Sequence, residues 1–186
     1  MKRVFDFFLA LISMIALSIP MLVIGFVVKL TSEGPIIYWS DRVGQGNKLF
    51  RMPKFRTMQI DTIEVATHLL PDPEKCLTPI GSFLRKSSLD ELPQLWSILR
   101  GDMSFIGPRP ALFNQENLIA LRTQFGVDGL LPGLTGWAQI NGRDELSIQE
   151  KVQLDIEYLN NKSFCFDIVI FFRTVLKTFR SDDVAH

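Results

Sequence analysis

The chain is organised around Ser87-Ser88-Leu89-Asp90-Glu91-Leu92-Pro93-Gln94-Leu95-Trp96, in which a loop leads into a helix. Its apolar residues recur at helical spacing, and Gly101 is suited to end that helix. Ser88 and Glu91 have the spacing of a capping box, although Asp90 could itself be the cap. In either arrangement the carboxylates of Asp90 and Glu91 lie beside the positive end of a helix dipole, which favours their ionised forms.

The chain continues into a second motif, Gly101-Asp102-Met103-Ser104-Phe105-Ile106-Gly107-Pro108-Arg109-Pro110. The two prolines make its end a rigid turn, and Arg109 offers a guanidinium group that can bind a phosphate in a bidentate manner. An Asp-Glu pair at a helix start is common and by itself indicates no function. Carboxylates that can hold a divalent cation, next to an arginine that can hold a phosphate, indicate phosphoryl-group chemistry.

Length and composition narrow the class of protein. A chain of 186 residues suits one domain with a substantial core. Lys plus Arg equals Asp plus Glu, at 20 each, so no net charge favours nucleic acid and no such partner is expected. Cys76 and Cys165 offer neither a disulfide framework nor a metal-ligand spacing, and His68 and His186 are isolated, which argues against a zinc or histidine-based site.

The N-terminal segment 7–28 is uncharged and long enough to cross a bilayer. However, basic residues flank it on both sides, so the positive-inside rule draws both ends to the cytoplasm. Pro20 interrupts the helix near its middle, and Ser18 can satisfy a carbonyl that the break sets free. Each half reaches about 20 Å, short of a hydrocarbon core of about 30 Å.

These features favour a helix that enters the membrane and returns to the same face over a plain spanning helix or a cleaved signal peptide. We therefore predict two regions. Residues 1–30 form a re-entrant membrane helix broken at Ser18 and Pro20, and residues 31–186 form a cytoplasmic catalytic domain. The predicted location is the cytoplasmic face of a membrane.

The rest of the chain predicts an α+β fold that is mostly helical. One β-hairpin is expected from the segments 36–39 and 48–51, whose apolar runs Ile36–Trp39 and Leu49–Phe50 lie on either side of the glycine-containing turn 43–47. Several short helices follow, including one over 112–125 and one that a capping box at Ser147 and Glu150 opens. The aromatic C-terminal helix 164–179 is amphipathic, and it could pack in the core or lie at the membrane interface with its bases against anionic lipid.

Basic residues outside the two central motifs are further candidates for phosphate contacts. Lys54 follows the hairpin in a stretch where bases alternate with apolar residues, so that Lys54 and Arg56 could point to one side. Arg85 lies shortly before the carboxylate pair, at the end of a short predicted helix. The loop 131–143 contains three glycines and one proline, ends at Arg143, and has the composition of a binding surface.

Five motifs follow one another along the chain: Lys2–Asp6, Lys54–Met58, Ser88–Leu95, Gly101–Pro110 and Pro132–Gln139. In sequence and order they resemble the bacterial sugar transferases called monotopic phosphoglycosyl transferases, in their minimal single-domain form. The resemblance covers nearly the whole chain. Two departures occur: Ile19 separates Ser18 from Pro20, which are often adjacent residues in the family, and Leu131 stands where the family often has arginine.

The resemblance implies an enzyme that moves a sugar 1-phosphate from a UDP-sugar to a polyprenol phosphate such as undecaprenyl phosphate, with release of UMP. It also implies dependence on Mg²⁺, bound by an Asp-Glu dyad that here is Asp90 and Glu91. A lipid bilayer is then a further partner, and a homodimer is compatible with the sequence. The step would be the first membrane step of glycoconjugate biosynthesis.

Our mechanistic hypothesis assigns Asp90 as the nucleophile that forms an aspartyl-phosphosugar intermediate, with Arg109 holding a phosphate. Lys54, Arg85 and Arg143 are assigned weaker phosphate or sugar contacts. Two other classes stay open at this stage, namely a membrane-anchored Mg²⁺-dependent phosphohydrolase and a non-catalytic anchor that docks on lipid. The sequence does not indicate which UDP-sugar is used, which glycan pathway is served, or whether Glu91 binds metal or has another role.

Overall fold

The computed structural model describes residues 2–63, 65, 71–142 and 145–179, and it has the predicted α+β, mostly helical architecture. The helices are α1 (Lys2–Ala16), α2 (Ser18–Thr31), α3 (Gly81–Lys86), α4 (Leu95–Arg100), α5 (Glu116–Gln124), α6 (Trp137–Ile140), α7 (Ile148–Asn161) and α8 (Phe164–Phe179). The strands are β1 (Ile37–Val43), β2 (Leu49–Phe55), β3 (Ser104–Ile106) and β4 (Gly133–Thr135).

The two N-terminal helices are separated only at Leu17, where the axis bends by 62°. Pro20 has no N–H to donate to the preceding turn, and Ser18 Oγ donates to the Ile15 carbonyl at 2.7 Å, one residue before the carbonyl of Ala16 that Pro20 leaves without its helical partner. No helix of the described residues is by itself long and apolar enough to cross a bilayer. The bent pair meets that test of length and composition together.

The beginning of α1 is bound to the rest of the molecule by three side chains. Lys2 forms an ion pair with Asp167 in α8. Arg3 donates to the Leu99 carbonyl at the end of α4, at 2.7 Å, and the buried Asp6 accepts a hydrogen bond from β3. Because these partners lie in three different elements, the N-terminus is anchored on the domain formed by the later part of the chain.

The end of α2 is bound to the same domain. Arg56, which is 5% exposed, donates to the carbonyls of Ser32 at 3.0 Å and of Pro35 at 2.7 Å. The alternating pattern predicts that the side chains of Lys54 and Arg56 point to the same side. Instead Arg56 holds the connection between α2 and β1, while Lys54 lies inside β2 and points to the centre of the domain.

The predicted hairpin is confirmed, with strands that run longer than the apolar runs indicated. β1 and β2 pair antiparallel, with Tyr38 opposite Lys54 and Ser40 opposite Met52. Ser40 and Met52 are buried, so this face of the hairpin packs on the core. The strands extend beyond the apolar residues because the ladder also pairs charged positions, among them Asp41 with Arg51.

Two predictions about local structure were wrong. The capping box at Ser88 does not form, because Ser88 adopts a left-handed conformation with φ of 55° and makes no capping hydrogen bond. Residues Leu89–Gln94 form a 3₁₀ helix that precedes α4. The helix predicted over 112–125 begins only at Glu116. The capping box of Ser147 and Glu150, in contrast, is confirmed at the start of α7.

The C-terminal helix α8 has side chains in two different environments. Ile170 is fully buried, whereas Phe172 is 60% and Leu176 is 62% exposed. Arg173 lies over the ring of Trp137, at 5.6 Å from its centroid. One face of α8 therefore packs on the core and the other presents apolar side chains outward.

Candidate active site

The carboxylate pair lies in the 3₁₀ helix between α3 and α4, directly beside β2. Asp90 is 6% and Glu91 is 9% exposed, so both side chains are buried. The left-handed Ser88 makes the sharp turn that brings the chain from α3 to this position. Two adjacent buried carboxylates are unfavourable unless positive charges lie close by.

Two cations converge on Glu91. Lys54 Nζ from β2 and Arg109 Nη2 from the turn after β3 each lie 2.8 Å from the same oxygen, Oε1. Burial opposes the ionisation of Glu91, but the charges and hydrogen bonds of Arg109 and Lys54 outweigh it and hold the pKa of Glu91 well below its usual range. The structure thus brings together three predicted site residues that are far apart in the sequence.

Asp90 has a different environment. Its Oδ2 lies 3.8 Å from Lys54 Nζ, beyond hydrogen-bond distance, because Lys54 is directed at Glu91. Burial raises the pKa of Asp90, and the charge of Glu91 adds to the effect while Lys54 opposes it. We had expected a helix dipole to favour the ionised form, but burial dominates the shift. The less neutralised carboxylate is therefore Asp90, which leaves it available to a reaction partner.

Further positive charge surrounds the pair. Arg85 Nε donates to Thr57 Oγ1 at 3.1 Å, and burial lowers the pKa of Arg85 although the nearby charge of Asp90 raises it. Burial also lowers the pKa of Lys54, and the charges of Arg109 and Arg42 contribute to the same direction. Four cations thus stand around two carboxylates, an arrangement suited to an anion such as a diphosphate: Arg42, Lys54, Arg85 and Arg109.

Sequence reasoning missed Arg42 as part of this site. Its Nη1 donates to the carbonyl of Pro110 at 3.2 Å, which links β1 to the turn that carries Arg109. The alternation of side chains along the two strands could have indicated it. The register pairs even-numbered residues with even-numbered residues, so Arg42 and Lys54 lie on the same face of the hairpin. Arg143, which the sequence also predicts as a site residue, lies outside the described residues.

The fit of a metal ion can be judged from the donor set. The described residues contain no group of three or more His, Cys, Asp or Glu side chains that could hold a metal. Mg²⁺ is commonly bound by one or two carboxylates and completes its shell with water and substrate phosphates, so Asp90 and Glu91 suit it. Since Oε1 of Glu91 already accepts two hydrogen bonds, Oε2 of Glu91 and the oxygens of Asp90 are the candidate ligands.

The turn that carries Arg109 is backed by the predicted binding loop. Gly133–Thr135 of that loop forms β4, which pairs parallel with β3. The Gly107 N–H donates to the Thr135 carbonyl at 2.9 Å, and a Cβ atom on Gly136 would lie 2.0 Å from the Gly107 carbonyl oxygen. The backbones therefore approach as closely as glycine permits, and the loop positions the turn as well as any ligand it contacts.

Comparisons with known proteins place these features in context. A family model described as "Bacterial sugar transferase" matches residues 1–181. The chain is 40% identical over 99% of its length to the uncharacterized sugar transferase EpsL of Bacillus subtilis (strain 168), and covers 90% of that protein. It is 38% identical over 94% of its length to the exopolysaccharide production protein ExoY of Sinorhizobium fredii, and covers 83% of it.

A third relative has a more specific name. Over 96% of its length, the chain is 39% identical to the UDP-glucose:undecaprenyl-phosphate glucose-1-phosphate transferase of Escherichia coli (strain K12). The chain covers 40% of that longer protein.

Proposed function

The chain belongs to the bacterial sugar transferase family, and from this premise we propose that it transfers a sugar 1-phosphate from a UDP-sugar to undecaprenyl phosphate with release of UMP. The observation that supports the proposal best is the contrast within the dyad. Glu91 binds Lys54 and Arg109 at 2.8 Å, whereas Asp90 lies beside them without such a contact. A buried, cation-rich site with one less neutralised carboxylate suits nucleophilic attack on a diphosphate.

In the proposed first step, a carboxylate oxygen of Asp90 attacks the β-phosphorus of the UDP-sugar. A bond forms between this oxygen and phosphorus, and the bond from phosphorus to the bridging oxygen breaks, so that UMP leaves with the electron pair. In the second step an oxygen of the polyprenol phosphate attacks the same phosphorus. As the new bond forms, the bond between phosphorus and the Asp90 oxygen breaks, so that Asp90 is regenerated as a carboxylate and the lipid-linked product carries a diphosphate.

The other side chains have roles in neutralising charge. Lys54 and Arg109 lie close enough to exchange their contacts with Glu91 for contacts with phosphate oxygens when the donor binds. Arg85 and Arg42 contribute positive charge at the edges of the site. A Mg²⁺ ion held by Asp90 and Glu91 would supply further neutralisation of the diphosphate.

The membrane part of the proposal follows from the anchoring of the bent pair. A re-entrant α1–α2 pair has both ends on one side of the bilayer, and both ends here are bound to one domain, through Lys2 and Arg56. We propose that this side is the cytoplasmic face of the inner membrane, as the flanking bases indicate. The exposed apolar face of α8 would then lie in the headgroup layer, with Lys177 among the bases that contact anionic lipid. The homodimer stays a prediction.

Replacing the nucleophile tests the mechanism. Purified enzyme is incubated with a UDP-sugar labelled in the sugar, first without acceptor and then with undecaprenyl phosphate, and UMP and labelled protein are measured. We expect wild type to become labelled and Asp90→Asn to show neither label nor turnover. Full release of UMP by Asp90→Asn would exclude Asp90 as nucleophile. Continued release of UMP without polyprenol phosphate, beyond the one molecule that accompanies labelling of each enzyme molecule, would indicate a phosphohydrolase in which water is the acceptor.

A further inference from the structure

The turn that carries Arg109 is fixed through three successive carbonyl groups. The carbonyl before Arg109 accepts a hydrogen bond from the Gly133 N–H at 2.8 Å, and that of Arg109 itself accepts one from Arg122 Nη1 at 2.8 Å. The next carbonyl accepts from Arg42 Nη1 at 3.2 Å. Both neighbours of Arg109 are prolines without an N–H group, so the flanking residues can be held in hydrogen bonds only as acceptors.

Arg122 lies in a buried ion pair. Its Nε and Nη2 donate to Oδ2 of Asp155 at 2.9 and 2.7 Å, while Nη1 donates to the Arg109 carbonyl. The side chain of Asp155, in α7, is 2% exposed, and that of Arg122, in α5, is 12% exposed. Each nitrogen of the guanidinium group therefore already donates within the protein.

A buried ion pair is an expensive way to stabilise a fold, because desolvation of both charges offsets most of their attraction. The pair between Arg122 and Asp155 has a geometric consequence that an apolar pair would lack. Asp155 fixes the plane of the guanidinium group through two of its nitrogens, and the third is thereby aimed at the backbone of the residue whose side chain binds Glu91 at 2.8 Å.

We infer that Arg122 is a positioning residue that acts through Arg109, and that Asp155 holds Arg122 in place for this purpose. The inference rests on the proposed function, since it takes the diphosphate of a UDP-sugar as the ligand of Arg109. A small displacement of the Arg109 backbone moves its guanidinium group away from the diphosphate. Misplacement of a catalytic or binding group by about 1 Å can lower the reaction rate roughly 10²-fold.

Affinity for UDP, measured on the full chain in detergent with Mg²⁺ present, tests the inference. The variants are Arg122→Lys, Arg109→Gln and their combination. We expect Arg122→Lys to weaken UDP binding about tenfold, the effect of one lost hydrogen bond from a charged donor. In the Arg109→Gln background the same change should weaken binding by less than about twofold, because the residue it acts through has been removed.

The matched control is Arg100→Lys, which makes the same change in an exposed pair, where Arg100 lies 3.3 Å from Asp102. It should bind UDP as wild type does. Equal weakening by Arg122→Lys in both backgrounds, or none in either, would overturn the inference. A purely structural role also predicts that any loss follows the melting temperature, so melting is recorded for every variant.

A second variant covers the case in which Arg122→Lys does not fold. Arg122→Met combined with Asp155→Leu replaces the buried pair by apolar side chains of similar size, a change that proteins often tolerate. We expect it to fold and still to bind UDP about tenfold more weakly than wild type. Wild-type affinity in this variant would overturn the inference. The proposed function fails separately, if wild type binds UDP but releases no UMP from any UDP-sugar.

Discussion

At the scale of single residues, Asp90 and Glu91 differ in their contacts with the cations around them. Asp90 and Glu91 are neighbours in one 3₁₀ helix and are almost equally buried, yet Lys54 and Arg109 both bind Oε1 of Glu91. The pKa values of the two carboxyl groups therefore shift in opposite directions. Adjacent residues with perturbed and opposite pKa shifts are typical of sites in which one carboxylate reacts and the other holds the surrounding charges.

The residue types of this site could be predicted from the sequence, but their arrangement could not. The motifs around Asp90 and Arg109 indicated carboxylates next to an arginine that can bind phosphate, and Arg109 does lie 2.8 Å from Glu91. The convergence of Lys54 on the same oxygen depends on the register of β2 against the 3₁₀ helix, which no local pattern encodes. The raised pKa of Asp90 depends on burial, which is a property of the folded core.

Gly136 allows a prediction at this scale. A Cβ atom there would lie 2.0 Å from the carbonyl oxygen of Gly107, and a backbone carbonyl cannot move aside as a flexible side chain can. We expect Gly136→Ala to destabilise the protein by about 1–3 kcal/mol, as overpacking does, and to reduce UMP release at least in proportion. Thermal unfolding and the UMP assay measure the two effects.

The control for Gly136 is Gly129→Ala, since an added Cβ atom at Gly129 would have no heavy atom within 4 Å. This variant should keep both the melting temperature and the activity of wild type. If Gly136→Ala behaved as this control does, the close approach of β4 to the turn after β3 would be contradicted.

At the scale of secondary-structure elements, predictions succeeded where the signal was local. The hairpin follows from two apolar runs around a glycine-containing turn, and α7 begins where its capping box indicates. The parallel pair of β3 and β4 was missed because each strand has three residues, too few for a periodic pattern, and the two are far apart in sequence. The early start predicted for α5 failed because apolar residues before Glu116 pack without helical geometry.

The capping box of α7 gives the prediction at this scale. The hydroxyl and N–H groups of Ser147 donate to Glu150 and hold the pKa of this exposed carboxyl below its usual value. Because the folded-state pKa is the lower one, the stabilisation is present above the unfolded pKa of about 4.3 and is lost as the pH falls through the folded value. An NMR titration of Glu150 should show the lowered pKa.

Ser147→Ala should return the pKa of Glu150 toward its usual value and lower the stability by about 1 kcal/mol, as loss of an N-cap does. Thr is the conservative replacement, and Ser147→Thr should retain most of both effects because its hydroxyl can make the same bonds. A normal pKa for Glu150 in the wild-type protein would show that the capping box does not form in solution.

At the scale of the whole molecule, the contacts of the two ends of the α1–α2 pair determine its bent arrangement. The charge pattern of the sequence placed both ends on one side, and the fold binds both ends to one domain. A straight helix over the same residues would carry its two ends apart by more than about 40 Å, at roughly 1.5 Å per residue. The ion pair of Lys2 with Asp167 and the hydrogen bonds of Arg56 to the segment after α2 could not then form together.

Accessibility of single cysteines tests this arrangement. In a chain with Cys76→Ser and Cys165→Ser, a cysteine is introduced at one of three sites, and an impermeant thiol reagent is applied to intact spheroplasts and to inverted membrane vesicles. The sites are an extension before Met1, Glu33→Cys just after α2, and Asp41→Cys in the hairpin as the reference for the catalytic domain. We expect all three to be labelled in inverted vesicles and protected in spheroplasts, because one domain binds both ends of the pair. Labelling of the N-terminal cysteine in spheroplasts, with the other two protected, would mean that α1 and α2 cross the membrane, and the contacts of Lys2 and Arg3 with the domain could not exist.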